Sequence, residues 1–258
     1  MMAGRVALAA FAALLAAFLV LPVLAVVPAA FSARSFIRLP PEAWSVRWWG
    51  TFFGDPSWRR ALLKSVEVAV LATLVAVPLG TAAALGLARL RGIVRRLALA
   101  LFVGPVVVPV IVLAVALYAV ARSAGLVGTT AALVLGHAML ALPYVALNVG
   151  VSLAALDPAL GRAAAGLGAS SWRLFRTVTL PLILPGVVGG AVFAFVTSFD
   201  EVVLSVFLAG PSAKTLPVRI WEEIRVEYTP VVAVAATFMM ALAILAAASF
   251  RLLRRRRA

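Results

Sequence analysis

Apolar residues run through this chain in long unbroken blocks, without the alternation of a half-buried strand or the one-sided stripe of a soluble amphipathic helix. A hydrocarbon core about 30 Å thick takes roughly 20 helical residues to cross. Six blocks reach that length between punctuations of charge, proline or glycine: about 6–30, 61–88, 97–121, 130–151, 183–209 and 230–250. The expected fold is an all-α integral membrane protein with six transmembrane helices, a single membrane domain over 1–258. The first block follows Arg5 and exceeds the roughly 7 to 15 apolar residues of a signal-peptide core. It is read as an uncleaved span, although Ser32-Ala33 loosely imitates a cleavage site.

Composition agrees with the pattern: 65% hydrophobic and 12% charged residues exclude a soluble domain, which needs polar surface. A net charge of +14 would suggest nucleic acid in a soluble protein. Here the basic residues sit at the ends of apolar blocks, where lipid headgroups and orientation account for them, so no nucleic-acid partner is expected. Arg89, Arg91, Arg95 and Arg96 crowd the connection between the second and third blocks, and LLRRRR lies just before the last residue. Four crossings separate the two clusters, so both fall on one side with the N-terminus, and the positive-inside rule makes that side cytoplasmic. The loop after the first block is itself basic, with Arg34, Arg38, Arg47, Arg59 and Arg60, and opposes that assignment.

Candidate chemistry is sparse. There is no cysteine, hence no disulfide, thiolate site or cysteine nucleophile, and the lone His137 rules out a multi-histidine metal site. His137 is expected to be a satisfied interior histidine. Few acids and no nucleophile with a base argue against an enzyme. An ion-coupled secondary transporter commonly shows an internal repeat, which the two halves lack, and it stays as the less favoured alternative. The stretch Phe31–Arg60 holds Trp44, Trp48, Trp49 and Trp58, read as interfacial anchors or, alternatively, as an aromatic face for a cation. Lys64 and Glu67 stand three apart on a helix and are expected to pair locally.

Asp200 and Glu201 fall inside the fifth block, where charge is costly and usually faces a cavity or a partner. Neighbouring helical residues point about 100° apart, so at most one of them faces a pathway. The competing reading is a structural partner for a basic side chain on another helix.

The longest polar interruption of the second half runs from Leu156 to Gly186, LDPALGRAAAGLGASSWRLFRTVTLPLILPG. Asp157 with Pro158 predicts a capped helix start, and the alanine run predicts a short helix ending at Gly166 or Gly168. Ser170 or Ser171 caps a second helix, and Pro181 with Pro185 is expected to turn the chain back into the membrane. Ala163, Ala164, Gly168 and Ala169 leave room for close approach by a partner, with Trp172 and Phe175 as anchors on the next turn.

The spacing Ala163-Ala164, Gly168, Val178, Leu180-Pro181 resembles the EAA motif of permease subunits from binding-protein-dependent ABC importers, with Arg162 in place of the usual glutamate. The resemblance implies a type I ABC importer permease fold and a coupling segment at 156–182. In that segment Arg162, Ala163, Ala164, Gly168, Ala169, Trp172, Leu180 and Pro181 would face a cytoplasmic ATP-binding subunit. It further implies a dimer of that ATPase carrying ATP and Mg, with no cofactor on this chain. The other implied partners are a second, homologous but non-identical permease subunit, an extracytoplasmic solute-binding protein, and the lipid of a bacterial inner membrane. The likeness extends to Val46–Arg91, with RWW and the AL-x-KSV-x-VA run. SFDEVVLSVFLAGP (Ser198–Pro211) and TLPVRIWEEI (Thr215–Ile224) are most similar to the spermidine/putrescine branch. A polyamine is the substrate so implied, with Asp200, Glu201 and Trp48 in its path; an amino acid or aminophosphonate permease is the alternative. Such relatives often place an acid after the proline matching Pro109, where this chain has Val110.

Overall fold

The computed structural model describes residues 2–227 and 229–255. The last three residues, with two arginines of the LLRRRR tail, and Tyr228 in the last loop lie outside the described residues. In chain order the helices are α1 (Met2–Leu24), α2 (Val26–Ala29), α3 (Arg47–Gly54), α4 (Pro56–Arg89), α5 (Gly92–Val107), α6 (Val110–Ser123) and α7 (Thr130–Ala154). They continue as α8 (Pro158–Gly166), α9 (Ser171–Leu174), α10 (Leu180–Phe199), α11 (Val203–Leu208), α12 (Leu216–Val226) and α13 (Pro230–Arg255). A π-helical turn at Phe175–Thr179 joins α9 to α10.

Among the described residues, five stretches are long and apolar enough to cross a membrane: Leu8–Ala29, Pro56–Arg89, Thr130–Ala154, Ser171–Phe199 and Pro230–Ser249. The block expected as a third straight span is instead two helices, α5 and α6, bent by 99°, and they make a sixth span if counted together. Pro109 is the cause: it has no N–H to offer the carbonyl of Pro105, its ring crowds that carbonyl, and it drives the residue before it out of helical geometry. Val108 accordingly sits at φ −69°, ψ 133°. Pro78 and Pro143 lie inside α4 and α7, which run through them unbroken.

The chain divides into two compact units, residues 1–60 with 219–242 and residues 61–218 with 243–258. In the first, the loop after α2 is closed by an antiparallel bridge between Ser32 and Trp44. Glu42 clamps Arg34 at 2.6 Å and Arg38 at 2.8 Å. The hydrogen bond from Arg38, then the charge of Arg34, hold the Glu42 carboxyl below its ordinary range. Phe52 is buried among Phe53, Trp58 and Phe238. Arg219 lies 4.9 Å over the Trp58 ring, so this tryptophan is a core residue and not an interfacial anchor. At the start of α4, Asp55 accepts from Ser57 N at 2.6 Å, ahead of Pro56 in the first turn.

The second unit is built around α7 and α10. Their crossing is made of small residues, with Ala138, Ala141, Ala146 and Ala194 buried beside Val145, Val149 and Ile183. Between parallel stretches of apolar side chain, lipid offers no hydrophobic penalty to separation, so close van der Waals contact must hold the helices. Gly186 and Gly190 on α10 supply it by bringing the backbone against Asn148 and Val145. A second cluster joins α6, α7 and α11 through Ala114, Leu133, Leu204 and Leu208. Lys64 pairs with Glu67 at 2.6 Å, as the spacing predicts, and also donates to Thr130 Oγ1.

Candidate functional site

The polar interruption folds as two short helices and a reversal. Asp157 Oδ1 accepts from Ala159 N at 2.8 Å and Pro158 occupies the first turn of α8. The helix stops at a glycine in the left-handed region, Gly168, φ +77°. Ala169 N donates to Ala164 O and Gly168 N to Ala165 O, both at 3.0 Å, the paired bonds of a Schellman C-cap. A side chain at 168 would meet nothing within 4 Å, so glycine is required by the backbone and not by space. Ser170, of the two serines, is the cap of α9, accepting from Arg173 N.

Pro181 and Pro185 do not turn the chain. The helix runs on from Ser171 to Phe199, widening into its π-helical turn where Pro181, lacking an N–H, leaves the Thr177 carbonyl without its α-helical donor. Arg162, Ala163, Gly168, Trp172 and Pro181 are exposed, while Ala164, Ala169 and Leu180 are half-buried. Trp172 is 67% exposed and leans on Phe175 with ring centroids 5.6 Å apart. Leu160 and Leu167 join the exposed apolar surface, the latter at 89%, and Arg162, Arg173 and Arg176 rim it. Sequence reasoning passed over both leucines; the signal was an apolar side chain directly before the capping glycine.

Asp200 and Glu201 lie beyond the end of α10, at its break from α11, and not within a span. Glu201 is committed: its Oε1 accepts from Leu204 N at 2.8 Å and caps α11. Asp200 is exposed, and among the described residues no side chain pairs with its carboxylate.

Beneath this break sits His137, 1% exposed. Ser205 Oγ gives its proton to Glu201 O at 3.0 Å. Nε2 lies 3.0 Å from Ser205 Oγ, and Nδ1 meets Ser198 twice, 2.8 Å from its Oγ and 3.1 Å from its carbonyl oxygen. One ring thus ties α7 to the end of α10 and to α11. Buried bonds between membrane helices average about 0.6 kcal/mol and reach about 1.7. His137→Leu, which fills the space but breaks both, is expected to cost roughly 1–3 kcal/mol. A lowered thermal midpoint, with Ser205→Ala falling less, checks this.

Trp48, on α3 in the other unit, donates Nε1 to Arg34 O at 3.1 Å, and Arg47 lies 4.4 Å over its ring. One aromatic face is thus already occupied by a cation. Val110 opens α6 and packs into the cluster with Leu133 and Leu204.

Long apolar helices, a glycine-tight crossing and an exposed capped segment describe a multi-pass membrane protein. The chain belongs to the family of binding-protein-dependent transport system inner membrane components, whose profile matches residues 76–258. It is a transport subunit of the bacterial inner membrane and not an enzyme. It is 32% identical over 235 residues to the spermidine/putrescine transport system permease protein PotC of Haemophilus influenzae, covering 91% of each chain. It is 30% identical to the putrescine transport system permease protein PotI of Escherichia coli, covering 86% of this chain and 82% of that one. In fold it is similar to a bacterial ABC transporter involved in the import of the acidic polysaccharide alginate, with a TM-score of 0.71 at 15% identity over 93% and 90% of the two chains.

Proposed function

We propose that the chain is one membrane half of an ATP-driven importer that carries a polyamine such as spermidine or putrescine from an extracytoplasmic binding protein into the cytoplasm. The whole of 1–258 acts as a single transmembrane domain of six spans, α5 and α6 forming one broken span, with both termini cytoplasmic. A homologous, non-identical permease completes the membrane pair. A dimer of ATP-binding subunits holds ATP and Mg, and this chain binds no cofactor. The names of the relatives support the substrate class, and the exposed Trp172 surface supports docking to the ATPase.

Within that frame, residues 156–182 couple the motor to the spans. Trp172 and Leu167 anchor in a cleft of the ATPase, while Ala163, Ala164 and Ala169 let backbones approach. Leu180 and Pro181 lead the motion into α10. Arg162, exposed and standing where the resembled motif has glutamate, meets an acidic group on the motor. Alternating access follows as ATP closes the motor and the segment carries that movement upward.

The cation is drawn by the Asp200 carboxylate, exposed at the break between α10 and α11 and unpaired among the described residues. An ammonium leaving water needs such a charge to replace its hydration. Glu201 holds the break in shape. Val110 offers no carboxylate, so the second permease supplies the other acid for a dication. A hydrogen bond to a charged group contributes about 1.5–3 kcal/mol. Asp200→Asn is thus expected to lower putrescine uptake at limiting concentration on the order of tenfold or more while the complex still co-purifies. Unchanged uptake kinetics would remove Asp200 from the pathway.

A further inference from the structure

A groove of about 440 Å³ opens between the end of α4, the second half of α5 and the middle of α7. Gly86, Leu87 and Leu90 wall one side, and Ala98, Leu101 and Phe102 the other. Leu90 stands four residues after Gly86 and three after Leu87, and Leu101 and Phe102 stand three and four after Ala98, so each wall is one helical face. The groove is deepened at Gly86, where an added Cβ would meet nothing within 4 Å. Its end is formed by the connection from α4 to α5, and there the chemistry changes abruptly. Arg89 and Arg91 flank Leu90, and Arg95 stands three residues before Ala98, on the groove's own face, with Arg96 beside it. All four are exposed, and among the described residues none has an acidic partner.

We infer that this groove and its four arginines form a binding site for one anionic phospholipid, an acyl chain lying along the groove with the phosphate among the guanidinium groups. The orientation rule explains arginines at this end of the helices, but it does not require them to adjoin an apolar slot. Guanidinium forks match phosphate oxygens two at a time, and basic pockets between membrane helices suit lipid headgroups. An ordinary boundary lipid would need neither the recess nor the charge. The site lies wholly in the second unit and is separate from Asp200 and from the exposed surface of Trp172.

The test uses the assembled transporter with its partner subunits, placed in nanodiscs of phosphatidylcholine containing a minor fraction of phosphatidylglycerol or cardiolipin, then extracted and weighed by native mass spectrometry. The wild type is expected to retain an anionic phospholipid roughly tenfold more often than phosphatidylcholine. Replacing all four arginines (R89Q, R91Q, R95Q, R96Q) should erase that preference. Gly86→Leu fills open space, improves helix propensity and should leave assembly intact while abolishing retention. The inference is overturned by undiminished retention in Gly86→Leu, by equal retention of phosphatidylcholine, or by displacement with inorganic phosphate alone. Separation of the two membrane subunits by Gly86→Leu would also overturn it, because the groove would then belong to the neighbouring permease.

Discussion

Replacing Gly190 with leucine is expected to remove the folded protein from the membrane. A Cβ at that position would stand 2.9 Å from Val145 Cα and 3.2 Å from its Cγ1. The nearest atom belongs to the backbone, so no rotamer change relieves the clash. Gly186, four residues earlier, faces the Asn148 carbonyl at 2.7 Å in the same way, so α10 presents a G-x-x-x-G face to α7. Forcing the helices apart forfeits the contact that holds the second unit together, and overpacking of this kind costs about 1–3 kcal/mol or more. Loss of the monodisperse complex on gel filtration checks it, with Gly86→Leu as the matched control.

Removal of Ala163–Gly168 is the second large effect, and it separates folding from coupling. The segment contributes no residue to either buried cluster, so the spans should still assemble. It carries the end of α8 and the Gly168 cap that set the direction of α9 and of Trp172. Without them the exposed apolar surface is lost as a unit. The expected result is a permease that inserts normally yet neither retains the ATPase nor transports. Co-purification of the ATPase together with full uptake would contradict this.

How much of this was legible in the sequence varies with the range of the interactions. Local backbone chemistry was readable: Asp157 with Pro158 starts α8, Gly168 ends it, and Lys64 meets Glu67. The same was true of membrane residence, which follows from block length alone. Proline was not readable in isolation. Pro78 and Pro143 sit in unbroken helices, Pro109 bends its span by 99°, and Pro181 is absorbed by a π-helical turn. The residue type is the same each time, and neighbouring carbonyls and packing decide the outcome. Asp200 and Glu201 show a related limit. The expectation placed both inside a continuous helix; they lie instead at its end, where Glu201 caps α11 at a break that no periodicity announced. The tie from His137 to Ser198 and Ser205 joins positions 61 and 68 residues apart in the chain, beyond any local pattern.

On the proposed function, this chain moves a polyamine only when a separate ATPase drives it. The most direct measurement is uptake of labelled putrescine into proteoliposomes holding the two permeases and the ATPase, with loaded binding protein outside and ATP with Mg inside. Accumulation above the external concentration, dependent on ATP and absent when Ala163–Gly168 is deleted, is the predicted result. Uptake that persists without the ATPase, or follows an ion gradient instead of ATP, would contradict it.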